Sequence, residues 1–227
     1  MTSFDLTWRA TEPERLDEGV PEGEALASLA DLRFVNRWLG NATRLARAAH
    51  PYLAESARPR LLDVGCGSAD VPAAIARTTP RLLAVGVDVK PLHLRGAPPE
   101  VRPVVADVRA LPFTAGSFDV VTASLFLHHF DAAEVAPVLR ALFAVARRAL
   151  VVNDLRRARV PYLFGRAAFP LLFRSRVSVD DGLVSIRRGF TEREMRAAFA
   201  EAGIPVRLRR TWPYRLLAVA EKGHLQP

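Results

Sequence analysis

The sequence predicts an α/β protein with a doubly wound, mostly parallel sheet, and two observations support this fold class. Short apolar runs of strand length alternate with helical patterns over residues 60–221, as expected for a sheet that helices cover on both faces. Half of the residues are hydrophobic and a quarter are charged, which is the balance of a globular chain. At 227 residues, the chain has room for one large domain and not for two.

Seven runs have the length and composition of buried strands, and the last two are close enough in sequence to form a hairpin. The predicted strands are 60–65, 82–88, 102–107, 118–124, 149–154, 206–212 and 215–221.

Helical spacing of apolar residues characterises the segments between these strands. The clearest case is 191–203, where Thr191 and Glu194 form a capping-box pattern and Gly203 provides a C-terminal stop. Helices are also predicted over 70–80 and 131–149, and an amphipathic helical stretch covers 24–50. A further segment, 155–190, interleaves aromatic residues with arginines. We predict that it roofs a ligand pocket, with a plain helical cover of the sheet edge as the alternative.

The formal charge of +8 comes almost wholly from arginine, because Lys90 and Lys222 are the only lysines. An anionic partner such as RNA, a phosphorylated metabolite or a membrane surface is one interpretation. Arginines on solvated helix faces are the favoured one, because no run of five like charges occurs. The lack of a spanning apolar segment and the polar N-terminus predict a cytoplasmic protein without a membrane span. The single Cys66 excludes a disulfide within the chain.

The stretch LLDVGCGSAD (61–70) ends a strand in a carboxylate and a Gly-x-Gly turn, which brings backbone N–H groups close to a ligand. Asp88 and Asp107 end the next two strands, so with Asp63 three carboxylates stand where open α/β sheets bind ligands. Asp70 takes the last glycine position of the dinucleotide fingerprint and would repel a pyrophosphate. NAD or FAD is therefore disfavoured, and a cationic nucleoside without phosphates fits better.

These motifs resemble those of the class I S-adenosylmethionine (SAM)-dependent methyltransferases. LLDVGCGSAD looks like their first motif, VGVD like the second, VVADVRALPF like the third, and SFDVVTASLFLHHF like the fourth strand and its loop. The resemblance covers about residues 60–154. It implies a Rossmann-like, seven-stranded sheet with one antiparallel strand, N-terminal helices and a helical insertion after the fifth strand. The chain is thus divided into a lid segment (1–57) and a SAM-binding domain (58–227) with an acceptor cap at about 155–190.

The resemblance also implies which residues bind the cofactor. Asp88 would hold the ribose hydroxyls, Asp107 with Val108 would bind adenine, and Ser124 would lie near the transferred methyl. The implied cofactor-binding set is Asp63, Gly65, Gly67, Asp88, Asp107, Val108 and Ser124. The departure from the family pattern is Ala69, where members commonly have a third glycine. In the lid, further SAM contacts are predicted at Asn36, Arg37 and Trp38.

Methyl transfer to a hydroxyl requires an aligned acceptor and a general base. His128 and His129 follow the fourth strand and are the candidate catalytic bases, the alternative being that one of them packs against the next helix. We predict that Asp154 either orients a histidine or forms an ion pair with Arg156 or Arg157.

No metal is predicted. A related group, the quinone-biosynthesis O-methyltransferases, carries metal-associated glutamates where Leu125 and His128 stand in this chain.

The leading functional hypothesis is a SAM-dependent methyltransferase that O-methylates a phenolic, quinone-like or polyketide small molecule, with S-adenosylhomocysteine as the product. An RNA or protein methyltransferase is the first alternative, and nucleic acid is the less favoured partner because no appended binding module is evident. A dinucleotide-dependent oxidoreductase and a non-catalytic SAM-binding protein are the others.

Overall fold

The computed structural model describes residue 6 and residues 8–223, and its described strands form one seven-stranded sheet in the order β3-β2-β1-β4-β5-β7-β6. Strand β7 is antiparallel to both of its neighbours, and the other pairings are parallel. The predicted fold, with one antiparallel strand and a final hairpin, is confirmed. The strands are β1 (Arg60–Val64), β2 (Leu83–Asp88), β3 (Val101–Val105), β4 (Phe118–Ser124), β5 (Ala146–Leu155), β6 (Arg207–Thr211) and β7 (Arg215–Glu221).

Helices flank the sheet, and three of them precede the first strand. None of the helices in the described part of the chain is long and apolar enough to cross a membrane. The helices are α1 (Arg15–Glu18), α2 (Glu22–Trp38), α3 (Asn41–Ala54), α4 (Asp70–Thr78), α5 (Pro91–Leu94), α6 (Ala132–Val145), α7 (Arg159–Leu172), α8 (Arg176–Arg188) and α9 (Glu192–Glu201).

Each face of the sheet carries its own hydrophobic core, because successive strand residues point to opposite sides. Leu61 packs with α3 and α4, for example against Leu45 and Ile75. Leu62 belongs to the core on the other face, which includes Phe199 of α9. The central strands are therefore buried on both faces and hold their carboxyl ends in fixed positions.

Two sequence predictions about helix length are wrong. Residues 146–149 belong to β5 and not to the preceding helix, since Ala146 pairs with Phe118 of β4 and both following arginines reach the buried Asp119. The N-terminal helical stretch is broken at Gly40, which adopts a left-handed φ of 63°. By contrast, the capping box of α9 is confirmed.

The chain reverses direction in the sheet between β1 and β4. From β1 it moves to β2 and β3 on one side, then returns to β4 and β5 on the other. This arrangement opens a crevice beyond the carboxyl ends of β1 and β4, where ligands of open α/β sheets bind. The predicted site residues Asp63, Asp88 and Ser124 all lie at this edge.

Candidate active site

The turn after β1 contains three left-handed residues, Gly65, Gly67 and Ala69, with φ of 67°, 54° and 57°. A Cβ on Gly65 would overlap the ring of Phe126, so only glycine fits there. In front of Gly67 there is open space, which leaves room for a ligand against the backbone. The left-handed conformation costs Ala69 about 1 kcal/mol, because it has a side chain. Glycine avoids this cost, which explains why it is usual at this position.

Asp88 fastens this turn to the end of β2. Its Oδ2 accepts a hydrogen bond from Gly67 N (2.9 Å), and its Oδ1 accepts one from Lys90 N (2.9 Å). The ring Nδ1 of His93 lies 3.1 Å from Oδ1. Burial opposes ionisation, but His93 and the two backbone donors hold the pKa of Asp88 below its usual value. Asp88 is therefore an ionised acceptor, as the binding of hydroxyl groups requires.

Two more carboxylates make the crevice acidic. Asp63 is fully buried, and burial together with the charges of Asp70 and Asp88 raises its pKa to about 7, even though Thr122 Oγ1 donates to it at 2.6 Å. Burial also raises the pKa of Asp70, which accepts from Asn36 Nδ2 at 3.2 Å. Burial disfavours the ionised form of both carboxylates, so a cation bound beside them would be stabilised and a phosphate would not.

The remaining predicted cofactor contacts lie around the same crevice. Asp107 caps a short 3-10 turn by accepting from Arg109 N at 2.8 Å, and its side chain is 42% exposed. Val108, in that turn, is buried. Ser124 Oγ accepts a hydrogen bond from Asn41 Nδ2 at 2.7 Å. Sequence reasoning did not identify Asn41, which lies 83 positions from its partner.

The predicted lid contacts divide into one that reaches the glycine turn and two that do not. Asn36 binds Asp70, whereas Arg37 and Trp38 are exposed. Arg33 of the same helix, which the sequence did not indicate, donates to Ser68 Oγ at 3.1 Å. Helix α2 therefore contacts the turn after β1 through its residues 33–36.

Buried His128 is held between two carboxylates. Its Nδ1 lies 2.7 Å from Asp154 Oδ1, and its Nε2 lies 3.3 Å from Glu14 Oε1. Of the two predicted roles of Asp154, orienting a histidine is therefore the observed one, and Arg157 pairs with Glu194 instead. Burial alone would lower the pKa of His128, but the two carboxylates raise it to about 9. At neutral pH the ring is protonated and cannot accept a proton.

His129 is more accessible, with a side chain 27% exposed. Its Nδ1 lies 2.5 Å from Asp17 Oδ2 and 3.9 Å from Glu14 Oε2. Burial opposes ionisation of Glu14, yet the two histidines lower its pKa to about 2. Donor atoms of Glu14, His128 and His129 lie within 4.8 Å of one another. We interpret Glu14 and His128 as an ion pair, because the protonated imidazole of His128 cannot ligate a metal; the absence of a metal stays a prediction.

The N-terminal segment is fixed over the histidines by Arg188. This buried guanidinium donates to the carbonyls of His128 (2.7 Å) and His129 (2.8 Å), and also to those of Thr11 (2.8 Å) and Glu12 (2.9 Å). On the other side, Lys90 Nζ donates to the carbonyls of residues 16 and 17. Residues 11–17 thus bridge the end of β2 and the loop after β4.

The aromatic and arginine-rich insertion forms α7 and α8, and only part of it packs inward. Phe169 contacts the positions of Gly165 and Gly182, and it stacks on Phe173 at a centroid distance of 4.8 Å. Phe164 and Leu171 are 62% and 86% exposed. These two side chains lie on the outer face of the helix, and the acceptor-cap role of the 155–190 segment stays a prediction.

Comparison with known proteins agrees with this geometry. A family model described as "Methyltransferase domain" matches residues 61–149. The demethylmenaquinone methyltransferase of Roseiflexus sp. (strain RS-1) is 30% identical over 157 residues, which cover 66% of this chain and 62% of that protein. Residues 61–149 form a methyltransferase domain that matches the class I SAM-dependent family. The cofactor of this family is SAM, so the family and cofactor predictions are confirmed.

Solved structures share the fold of this chain at low sequence identity. The plantazolicin methyltransferase BpumL, in complex with SAH, has a TM-score of 0.66 and 14% identity over 92% of this chain and 99% of that chain. The magnesium protoporphyrin IX methyltransferase ChlM from Synechocystis PCC 6803, with bound SAH, has a TM-score of 0.57 and 17% identity over 84% of this chain and 88% of that chain.

Proposed function

We propose that this chain transfers a methyl group from SAM to a hydroxyl of a phenolic, quinone-like or polyketide small molecule and releases S-adenosylhomocysteine. The observation that carries the proposal is the group of three carboxylates, Asp63, Asp70 and Asp88, beside the open space at Gly67. SAM is cationic and lacks phosphates, so this acidic crevice fits it. The name of the Roseiflexus relative favours a quinone-like acceptor.

The proposed cofactor contacts follow from these positions. Asp88 accepts hydrogen bonds from the ribose hydroxyls, and Asp107 with Val108 binds adenine. Asp63 faces the ammonium group, while Gly65 and Gly67 let the backbone approach the methionine part. Ser124 lies near the reactive centre. When bound, SAM supplies an activated methyl group whose leaving group is a neutral thioether.

The acceptor side requires a group that removes a proton from the hydroxyl. We assign this role to His129, because His128 is held as an imidazolium between Asp154 and Glu14. Asp17 at 2.5 Å from Nδ1 favours the tautomer with the proton on Nδ1, which leaves the Nε2 lone pair to accept a proton. His128 then acts as a fixed positive charge that positions the loop.

Incubation of the purified chain with methyl-labelled SAM tests the activity. Phenols, quinols, polyketides and total RNA are supplied in separate reactions, and we expect label in one of the small-molecule classes. Calorimetry with S-adenosylhomocysteine and with NADH is the binding control, and only the first is expected to bind. Label in RNA alone, or binding of NADH alone, would contradict the proposal.

Replacing His129 with glutamine tests the general base. We expect kcat to fall by about 100-fold or more, since positioned general bases contribute roughly this factor, while affinity for S-adenosylhomocysteine stays unchanged. The matched control is His50→Gln on α3, an exposed histidine, which should keep full activity. A His129→Gln enzyme with wild-type kcat and an unchanged pH profile would remove His129 from the mechanism.

A further inference from the structure

The outer face of α7 is apolar although it contacts solvent. Val160, Leu163, Phe164 and Leu171 are 58%, 51%, 62% and 86% exposed. At 100° per residue, positions 160, 163, 164, 167 and 171 fall on one side of a helix. Single exposed apolar residues are ordinary, but a continuous stripe along a whole helix marks a surface that meets an apolar partner.

The inner face of α7 is already packed against other residues, so the exposed stripe is not needed for the folding of the described chain. Gly165 is buried, and a Cβ there would press on Phe169 (2.8 Å) and Leu183 (3.1 Å). Gly182 of α8 approaches the same phenylalanine. Helix α7 is therefore seated closely on α8, and its orientation, with the stripe outward, is fixed by packing.

The segment that carries the stripe has charges of one sign only. Residues 155–179 contain six arginines and neither aspartate nor glutamate. Arg159 and Arg166 are seven positions apart on α7, so they lie along one border of the stripe, and exposed Arg174 and Arg176 follow the end of the helix. An apolar stripe beside a row of cations is complementary to anionic headgroups above acyl chains.

We propose that α7 lies in the interface of an anionic lipid bilayer, with its apolar stripe among the acyl chains and its arginines at the headgroups. Helix α7 is the next element after β5, whose Asp154 holds His128, so the proposal places the bilayer on the side of the chain that leads to the catalytic loop. An apolar acceptor dissolved in the bilayer would then enter near the catalytic loop. The membrane proposal does not depend on the proposed function, because an inactive chain would bind vesicles equally well.

Sedimentation with lipid vesicles tests the proposal on the full chain. We expect binding to phosphatidylcholine vesicles that contain about one third phosphatidylglycerol, and at least about 10-fold weaker binding to pure phosphatidylcholine, since each arginine near an anionic surface adds to the affinity. The variant Leu163→Glu/Leu171→Glu should lose binding to both. Both side chains are exposed, so its circular dichroism and its affinity for S-adenosylhomocysteine should match the wild type.

The control variant lowers the net charge by the same amount as the glutamate variant, but it does so at the opposite end of the sheet. Arg58, Arg60, Arg81 and Arg102 line a cavity of about 590 Å³ beside the amino ends of β1 to β3. The variant Arg58→Gln/Arg102→Gln should bind vesicles like the wild type. The proposal is overturned if this control loses binding while the glutamate variant keeps it. It is equally overturned if the wild type does not bind anionic vesicles and instead forms a dimer, while the glutamate variant is a monomer.

Discussion

Asp88→Asn is expected to reduce affinity for S-adenosylhomocysteine by about 100-fold or more. Hydrogen bonds to a charged acceptor contribute about 1.5–3 kcal/mol each, and two ribose hydroxyls together exceed the roughly 2.7 kcal/mol that corresponds to 100-fold. Asparagine is preferred to alanine because its Oδ1 can still accept one of the two backbone hydrogen bonds, the one from Gly67 N, although the one from Lys90 N is lost. Isothermal titration calorimetry measures the loss directly.

Two further variants make this result interpretable. Glu100→Gln removes an exposed carboxylate that pairs with Arg77 and should bind like the wild type. Asp107→Asn should lose less affinity than Asp88→Asn, because Asp107 is half-exposed and water screens its contacts. If Asp88→Asn folds normally and binds as tightly as the wild type, the ribose assignment is wrong.

The carboxyl edge of the sheet could be predicted from the sequence because a parallel sheet places consecutive strand ends together. Asp63, Asp88 and Asp107 each follow an apolar run, so their position required only strand recognition and alternation. Asp70 could be interpreted from its charge alone. These local signals explain why the position of the carboxylates in the proposed cofactor site could be predicted from the sequence.

The acceptor half depends on contacts between distant parts of the chain. Glu14 reaches His128, and Arg188 reaches residues 11 and 12, across more than 100 positions. No periodicity or spacing encodes such a pairing. Consequently the sequence could not decide which histidine stays able to accept a proton, nor which partner Asp154 has.

Helix α7 illustrates a different limit. Its apolar spacing predicts an amphipathic helix, but spacing does not say which face packs inward. The inner face is set by Gly165 and Gly182, where a side chain would collide with Phe169. Because small residues select the packed face, the larger apolar residues are left outside.

Asp154→Asn is expected to lower the free energy of unfolding by about 3–5 kcal/mol at pH 7, as is usual when one partner of a buried ion pair is removed. The carboxylate of Asp154 accepts hydrogen bonds from Nδ1 of His128 at 2.7 Å and from the backbone N–H of Leu127 at 2.8 Å. It also offsets Arg215, whose burial lowers its pKa to about 10 despite the attraction of Asp154. Urea denaturation measures the loss, and Asp180→Asn, at an exposed carboxylate, should change stability by less than about 0.5 kcal/mol.

The pH dependence distinguishes a lost charge from general damage. The pKa of His128 is raised in the folded state to about 9, against roughly 6.5 in the unfolded chain. The contribution of His128 to the free energy of unfolding is roughly 3 kcal/mol. It is complete below about pH 6.5 and is lost as the pH rises through 9. Other groups that titrate in this range, such as Asp63, are present in both proteins and cancel in the difference. The stability gap between wild type and Asp154→Asn should thus narrow from pH 6.5 to pH 9; a gap that stays constant would show that His128 is neutral in the folded protein.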